Sequence, residues 1–259
     1  MQFIDTHTHL YLPEFDTDRD EVVNRAVGNG ILKMLMPNID IQSADHMLSV
    51  AARYPGICYP MIGLHPTSVR KDYLFQLDAL ETLTTKHKFV AIGEIGVDLY
   101  WDKTFLKEQL IAFKRQIEFA TDRKLPVVIH SRDAISEVFS VLEEFKGNEV
   151  KGVFHAFSGN IKDARKAISM GFKLGIGGVV TFKNSGLDEI VRETGPENII
   201  LETDAPYLAP VPYRGKRNES SYICIINKKL AEIFGRSEEE IASITYTNSS
   251  GLFNVEEQK

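Results

Sequence analysis

Phe89-Val90-Ala91-Ile92-Gly93-Glu94-Ile95-Gly96-Val97-Asp98 is the stretch on which the reading of this chain turns. A short apolar run bounded by glycine has the character of a strand buried on both faces, as in a parallel sheet. Glu94, at the expected carboxyl end of that strand, is out of keeping with such surroundings. An ionised acid left unpaired there is costly, so cations should stand beside it, either basic side chains or metal ions.

Runs of the same kind recur on both sides. Strands are predicted at 3–6, 31–36, 57–62, 89–94, 126–130, 152–155, 173–176 and 199–203, with helices between them at 19–29, 43–54, 73–86, 104–124, 134–146, 161–170 and 187–194. A proline-rich loop follows, then two more helices at 222–234 and 237–248. Asp163 and Ser237 are expected N-caps, the second with Glu240 three residues on to complete a capping box. Eight β-α units of about 30 residues each fill nearly the whole length, as a (β/α)8 TIM barrel requires. A doubly wound open sheet is the rival, but it usually has fewer strands and no Gly-x-Gly-x-x-Gly follows the first strand. Without a linker, a low-complexity tract or any repeat beyond this pitch, residues 1–259 are expected to form one α/β barrel domain with extra C-terminal helices.

Composition narrows the function classes. The 259 residues with 43% hydrophobic content suffice for one large core. A net charge of −6 argues against a broad basic face, so any contact with phosphates should be local and short. Cys58 and Cys224 do not suggest a disulfide framework; they read as small packing residues in a reducing compartment. The amino terminus lacks the pattern of a secretory signal, and no apolar run approaches the about 18 residues of a membrane span. A soluble cytoplasmic protein, without membrane contact and monomeric, is expected.

The barrel makes a prediction about the conspicuous polar residues, because functional groups of such folds gather at the carboxyl ends of the strands. His7 and His9 follow strand one, Glu94 ends strand four, His130 ends strand five, His155 ends strand six and Asp204 follows strand eight. Residues two apart on an extended segment share a face, so His7 and His9 can both look into the barrel mouth. Any one of these alone also reads as an ordinary polar residue at a strand end; their joint placement does not. Imidazole with carboxylate suits zinc, manganese, nickel or iron, and magnesium stays open despite its preference for oxygen shells. Six ligands exceed the three or four that one catalytic zinc takes from protein, which points to two divalent ions. One is expected between His7, His9 and Asp204, the other between His130 and His155, with Glu94 across both. Such a pair, about 3.5 to 4 Å apart, can hold a hydroxide and polarise an ester oxygen.

Asp5-Thr-His7-Thr-His9-Leu10, Gly63-Leu-His65-Pro66, Gly93-Glu94-Ile-Gly96-Val-Asp98, His130-Ser-Arg132-Asp-Ala134, His155-Ala-Phe157-Ser-Gly159, Glu202-Thr-Asp204-Ala-Pro-Tyr207-Leu and Arg214-Gly-Lys-Arg217-Asn218-Glu219 together resemble the motifs of the TatD family of metal-dependent hydrolases, within the amidohydrolase-like barrel superfamily. The resemblance runs along essentially the whole chain. It implies the same barrel and divalent-metal-dependent hydrolysis of DNA phosphodiesters, often as a 3′ to 5′ exonuclease. It also implies a first metal position at His7, His9, Glu94 and Asp204, and a second at Glu94, His130 and His155. Thr67 and Ser220 depart from the pattern, where family members often have histidine and proline, and bear on substrate contacts rather than on ligands.

Glu94 and Asp204 are the expected catalytic residues, Asp204 being placed to orient or deprotonate the attacking water. His65 is a candidate for a phosphate oxygen or leaving group, against a structural histidine before Pro66. Arg132 is a candidate for a bidentate phosphate contact, against an ion pair with a loop acid. Arg214, Lys216 and Arg217 form a local basic patch that can receive the phosphates of one or two nucleotides, against a solvated loop. Tyr100, Trp101 and Phe157 can stack a terminal base, against packing at the barrel rim. His46 and His87 read as solvated. Three functions follow: a deoxyribonuclease acting on DNA ends, expected to be single-stranded; a hydrolase of small or carrier-bound esters and amides, such as a D-aminoacyl-tRNA deacylase; and a non-catalytic metal-binding scaffold.

Overall fold

Each apolar run of the sequence gives a strand in the computed structural model, which describes residues 1–255. The strands are β1 (Phe3–Asp5), β2 (Ile31–Met36), β3 (Cys58–Pro60), β4 (Ile92–Asp98), β5 (Val127–Arg132), β6 (Gly152–Phe154), β7 (Phe172–Ile176) and β8 (Ile199–Leu201). Between them lie α1 (Arg19–Gly28), α2 (Ile41–Arg53), α3 (Tyr73–Leu83), α4 (Leu106–Arg123), α5 (Ile135–Glu144), α6 (Ile161–Ser169) and α7 (Leu187–Thr194), and after β8 come α8 (Ile223–Phe234) and α9 (Glu238–Phe253). The strands form two parallel ladders, β1-β2-β3 and β4-β5-β6-β7-β8. Parallel bridges join them at both seams, Ile62 with Ile92 and Thr8 with Ala205. Gly93 N donates to Ile62 O at 2.8 Å across one seam, and Thr6 N to Leu201 O at 3.1 Å across the other. The strands therefore follow one another round a ring in sequence order, the TIM-barrel arrangement.

Strand alternation sorts the apolar side chains into two layers. Ile4, Leu35, Met61, Ala91, Val128, Val153 and Ile200 form the inner one, completed by Phe253 at the end of α9 and Val255 just beyond it. Their neighbours Phe3, Met34, Met36, Ile129, Phe154, Ile199 and Leu201 meet the helices in the larger core. Each such side chain contributes about 1.5 to 3 kcal/mol on burial, which is why neighbouring positions on one strand are both apolar. Among the described residues no helix is long and apolar enough to cross a membrane.

Three expectations about local structure need correction. His130 does not end β5 but is the fourth of its six residues, because the strand runs on to Arg132. β4 starts at Ile92, three residues after the expected start, and runs on to Asp98, so Glu94 is its third residue and not its end. Gly93 and Gly96 do not bound the strand; they are points where β5 leaves no room for a side chain, a Cβ on Gly93 falling 2.6 Å from Val128 Cβ. A Cβ on Gly96, whose φ is +141°, would stand 2.0 Å from His130 O, and the register with β5 shifts between Ile92 and Ile95. Asp163 is not the N-cap of α6: Asn160 caps it, accepting from Lys162 N and Asp163 N, while the Asp163 carboxylate reaches back to Asn160 N. Ser237 and Glu240 make the expected capping box at α9.

Candidate metal centre

Beyond β1 the chain stays extended, and its hydrogen bonds alternate between neighbours: Thr8 N donates to Leu35 O at 3.0 Å, and His9 N to Ala205 O at 2.7 Å. This holds His7 and His9 side by side at the mouth, with ring centroids 5.1 Å apart. Opposite them Asp204, in the left-handed region at φ +57°, is tied down by its N–H donating to His7 O at 2.9 Å and its carbonyl accepting from Tyr207 N at 2.8 Å. His155 lies just past β6, and its ring stacks on that of His7 at 3.4 Å.

The other five expected ligand residues are brought together around Glu94. Its Oε2 lies 3.2 Å from His7 Nε2 and 3.9 Å from His9 Nε2, whereas its Oε1 lies 2.8 Å from His130 Nδ1 and 3.7 Å from His155 Nε2. Asp204 Oδ1 lies 3.4 Å from His9 Nε2, and 3.8 Å from both His7 Nε2 and His155 Nε2. His65 Nε2 adds itself at 3.4 Å from Glu94 Oε1. Glu94 is nearly sealed, at 3% side-chain exposure, whereas Asp204 keeps 15% and is the carboxylate that water reaches.

Hydrogen bonds behind the rings decide which nitrogens carry lone pairs. Tyr11 Oη donates its proton to Pro37 O at 2.8 Å, so it accepts from His9 Nδ1 at 3.2 Å and leaves the His9 Nε2 lone pair facing the carboxylates. Asp98 Oδ2 is hydrogen-bonded to His130 Nε2 at 2.8 Å, whereas Glu202 Oε1 lies 3.1 Å from His155 Nδ1 as a charge contact without hydrogen-bond alignment. Both carboxylates favour an N–H at those positions and direct the other ring nitrogen inward. His65 has the opposite sense. Its Nδ1 accepts from Thr67 N at 3.1 Å, so in the neutral ring the proton sits on Nε2 and points at Glu94. His65 is near enough to join a ligand group with Glu94 and His130, but its tautomer makes it a donor.

Both nitrogens of His7 are buried without a hydrogen-bond partner. An orphaned imidazole facing two carboxylates is costly in a bare protein and fits a divalent cation, which takes up imidazole lone pairs and carboxylate charge together. His7 with His155 and Asp204, and His7 with His9 and Glu94, are spaced for such a group.

The electrostatics agree. Burial pushes the Glu94 carboxyl up, but His65, His155 and His7 outweigh it and hold the group well below the usual carboxylate range. Asp204 is also lowered, burial being overcome by His155 and the other imidazoles. Burial lowers His7, helped by His155, and lowers His65 against the pull of Glu94. His155 goes the other way: burial is overcome by Glu202, Glu94 and Asp204, and its pKa is pushed up to about 10. His130 is raised against burial by Asp98 and Glu94.

The sequence model of the family described as TatD related DNase matches residues 4–254. The chain belongs to the TatD family. It is 38% identical over 252 residues to the uncharacterized metal-dependent hydrolase YabD of Bacillus subtilis, covering 97% of this chain and 98% of that protein. It is 31% identical over 257 residues to a Salmonella typhimurium protein named 3'-5' ssDNA/RNA exonuclease TatD, covering 97% and 98%. The crystal structure of the Escherichia coli TatD homologue YJJV superimposes with a TM-score of 0.92 at 30% identity over 98% of both chains. That of a TatD family hydrolase from Entamoeba histolytica gives 0.87 at 24% identity over 99% of both and supports the fold. YabD and the Escherichia coli protein YjjV are both named as metal-dependent hydrolases.

Asp98 and Glu202 were without a role in the sequence reading, although each stands in a quoted motif. Asp98 shares a strand face with Glu94, and Glu202 stands two residues before Asp204, so the period of two was an available signal. Glu202 also explains Gly175, where a Cβ would lie 2.2 Å from Glu202 Oε2. The TatD-family centre is further braced by α4, whose Gln109 and Gln116 lie seven residues apart on one face. Gln116 Oε1 accepts from Leu64 N at 2.7 Å beside His65, and Gln109 Oε1 accepts from Asp98 N at 2.9 Å.

The basic candidates separate. Arg217 is committed to Asp18 through two hydrogen bonds of 2.8 and 2.6 Å and to Glu14 O, which ties the loop to the start of α1. Arg214 is exposed, its guanidinium 4.6 Å from the Phe182 ring centroid, and Lys216 is exposed too. Arg132 is exposed at the end of β5, and Phe157 is buried at 4%.

Proposed function

We propose that this chain is a two-metal phosphodiesterase that removes nucleotides from the ends of single-stranded DNA in the 3′ to 5′ direction. The observation that carries the reading is the convergence on Glu94 of imidazoles from in or just beyond four separate strands, with an accessible carboxylate, Asp204, on the open side. His7, His9 and Asp204 would hold one cation and His130 and His155 the other, with Glu94 common to both groups. Divalent cations there supply Lewis acidity, which acidifies water and draws charge from a phosphoryl oxygen.

The protein's own groups do the rest. Asp204, held in a lowered-pKa state, accepts the proton of the attacking water, being the one central carboxylate open to the mouth. His65 presents an N–H and donates to a phosphate oxygen or to the departing sugar oxygen, with Thr67 fixing its tautomer. Arg214 and Arg132 receive the phosphates of the strand, a short contact in keeping with a net charge of −6. Arg217 does not join them; it positions the loop through Asp18. The Salmonella relative's name supports nucleic acid as the substrate class.

The deciding experiment incubates metal-reconstituted protein with end-labelled single-stranded DNA and, in parallel, with a D-aminoacyl-tRNA. Metal-dependent shortening from the 3′ end, abolished by Asp204→Asn, is expected. Deacylation without shortening of DNA would overturn the reading in favour of an esterase.

A further inference from the structure

Tyr100 and Trp101 follow β4 and face solvent, at 53% and 71% exposure. They are not loose. The Asp98 carboxylate accepts from Tyr100 N at 3.0 Å and Trp101 N at 3.3 Å through Oδ1, while Oδ2 holds His130 Nε2. One side chain therefore ties the aromatic pair to the metal centre. Their rings meet edge to face with centroids 4.8 Å apart. Arg132 lies over them, its guanidinium carbon 3.8 Å from the Tyr100 centroid and 5.5 Å from that of Trp101. Arg132 stands two residues beyond His130 and has no carboxylate within 4.0 Å among the described residues. Of the two readings open for Arg132, the ion pair with a loop acid is not formed, and of the three aromatics only Phe157 is packed away from solvent.

A large exposed ring beside an unpaired guanidinium is what a nucleobase with its phosphate would fit: the base stacks on the ring and the phosphate meets the cation. We propose that Trp101 and Tyr100, with Arg132, form a subsite that stacks the terminal base of a single strand while its end phosphodiester lies at Glu94 and Asp204. The subsite rests on the phosphodiesterase reading and adds to it a demand for an intact terminal base. It takes single strands, because a terminal base paired to a partner strand must first give up that pairing to turn onto the ring.

Trp101 is the single tryptophan of the chain, so its emission reports directly on the subsite. Metal-loaded protein is titrated with an oligonucleotide carrying a cleavage-resistant phosphorothioate at its 3′ end, and with the same strand ending in an abasic residue, in DNA and RNA versions. Quenching of Trp101 by the intact strand is expected, with affinity about 5- to 100-fold weaker for the abasic one. With cleavable strands, Trp101→Ala should erase the preference for an intact end and Trp101→Phe, which keeps a stacking ring, should restore it. Binding or cleavage of DNA with unchanged Trp101 emission, or equal affinity for intact and abasic ends, would overturn the subsite and leave the phosphodiesterase standing. Absence of both binding and cleavage would overturn the two together.

Discussion

Glu94→Gln is the substitution whose consequence the geometry constrains most. The two oxygens of Glu94 face different imidazoles, Oε2 towards His7 and His9 and Oε1 towards His130 and His155. Replacing the carboxylate with an amide removes one unit of charge shared by both positions. With an effective dielectric of about 20, unit charges at about 4 Å interact by roughly 4 kcal/mol, and a dication by roughly twice that. If each cation loses half of its share, affinity falls by about 4 kcal/mol at each position, or about 1000-fold. His130→Ala removes a neutral donor from the Oε1 side alone. After dialysis against a fixed free-metal concentration, plasma emission should find Glu94→Gln depleted at both positions and His130→Ala depleted at one. Circular dichroism should confirm that both variants stay folded. Equal loss in the two variants, or full retention in Glu94→Gln, would refute the bridging assignment.

Metal uptake should release protons, because the His155 imidazolium of the metal-free chain persists up to about pH 10 and a cation must displace its proton. Titration calorimetry at pH 8 in buffers of different ionisation enthalpy should show that release, and affinity should weaken as pH falls; buffer-independent heats would contradict it. Arg217 lowers the Asp18 pKa below the usual carboxylate range, so the pair's stabilisation is full above the unfolded pKa of about 3.9 and is lost as pH falls through the lower folded value. Being partly exposed, it is worth about 0.2 to 1 kcal/mol. Arg217→Gln should lower stability by that amount in urea melts at pH 7 and leave the salt dependence of DNA binding unchanged, whereas Arg214→Gln should reduce the log-log salt slope by about 1. The unsubstituted chain should show a slope reflecting about two or three phosphates, and a slope near ten would require a basic face that a net charge of −6 does not provide. Gly96→Ala should destabilise by about 3 kcal/mol or more, since its Cβ would meet His130 O at 2.0 Å; a melting temperature like that of the parent would refute the close approach.

The sequence alone determined the barrel and the kinds of residue at its mouth. Eight apolar runs alternating with amphipathic stretches record a local periodicity, and the rule that strand ends share one rim places His7, His9, His130, His155 and Asp204 together without coordinates. Only the tertiary structure decided which group touches which. The register shift between Ile92 and Ile95 sets Glu94 inside β4 with His130 on one side and His7 on the other. Thr67 N turns His65 into a donor, which residue identity does not reveal. Arg217 is taken out of the basic patch by Asp18, 199 residues away in the chain. Periodicity reports on neighbours a few residues apart, whereas proton positions and ion pairs depend on atoms that meet only when the ring closes.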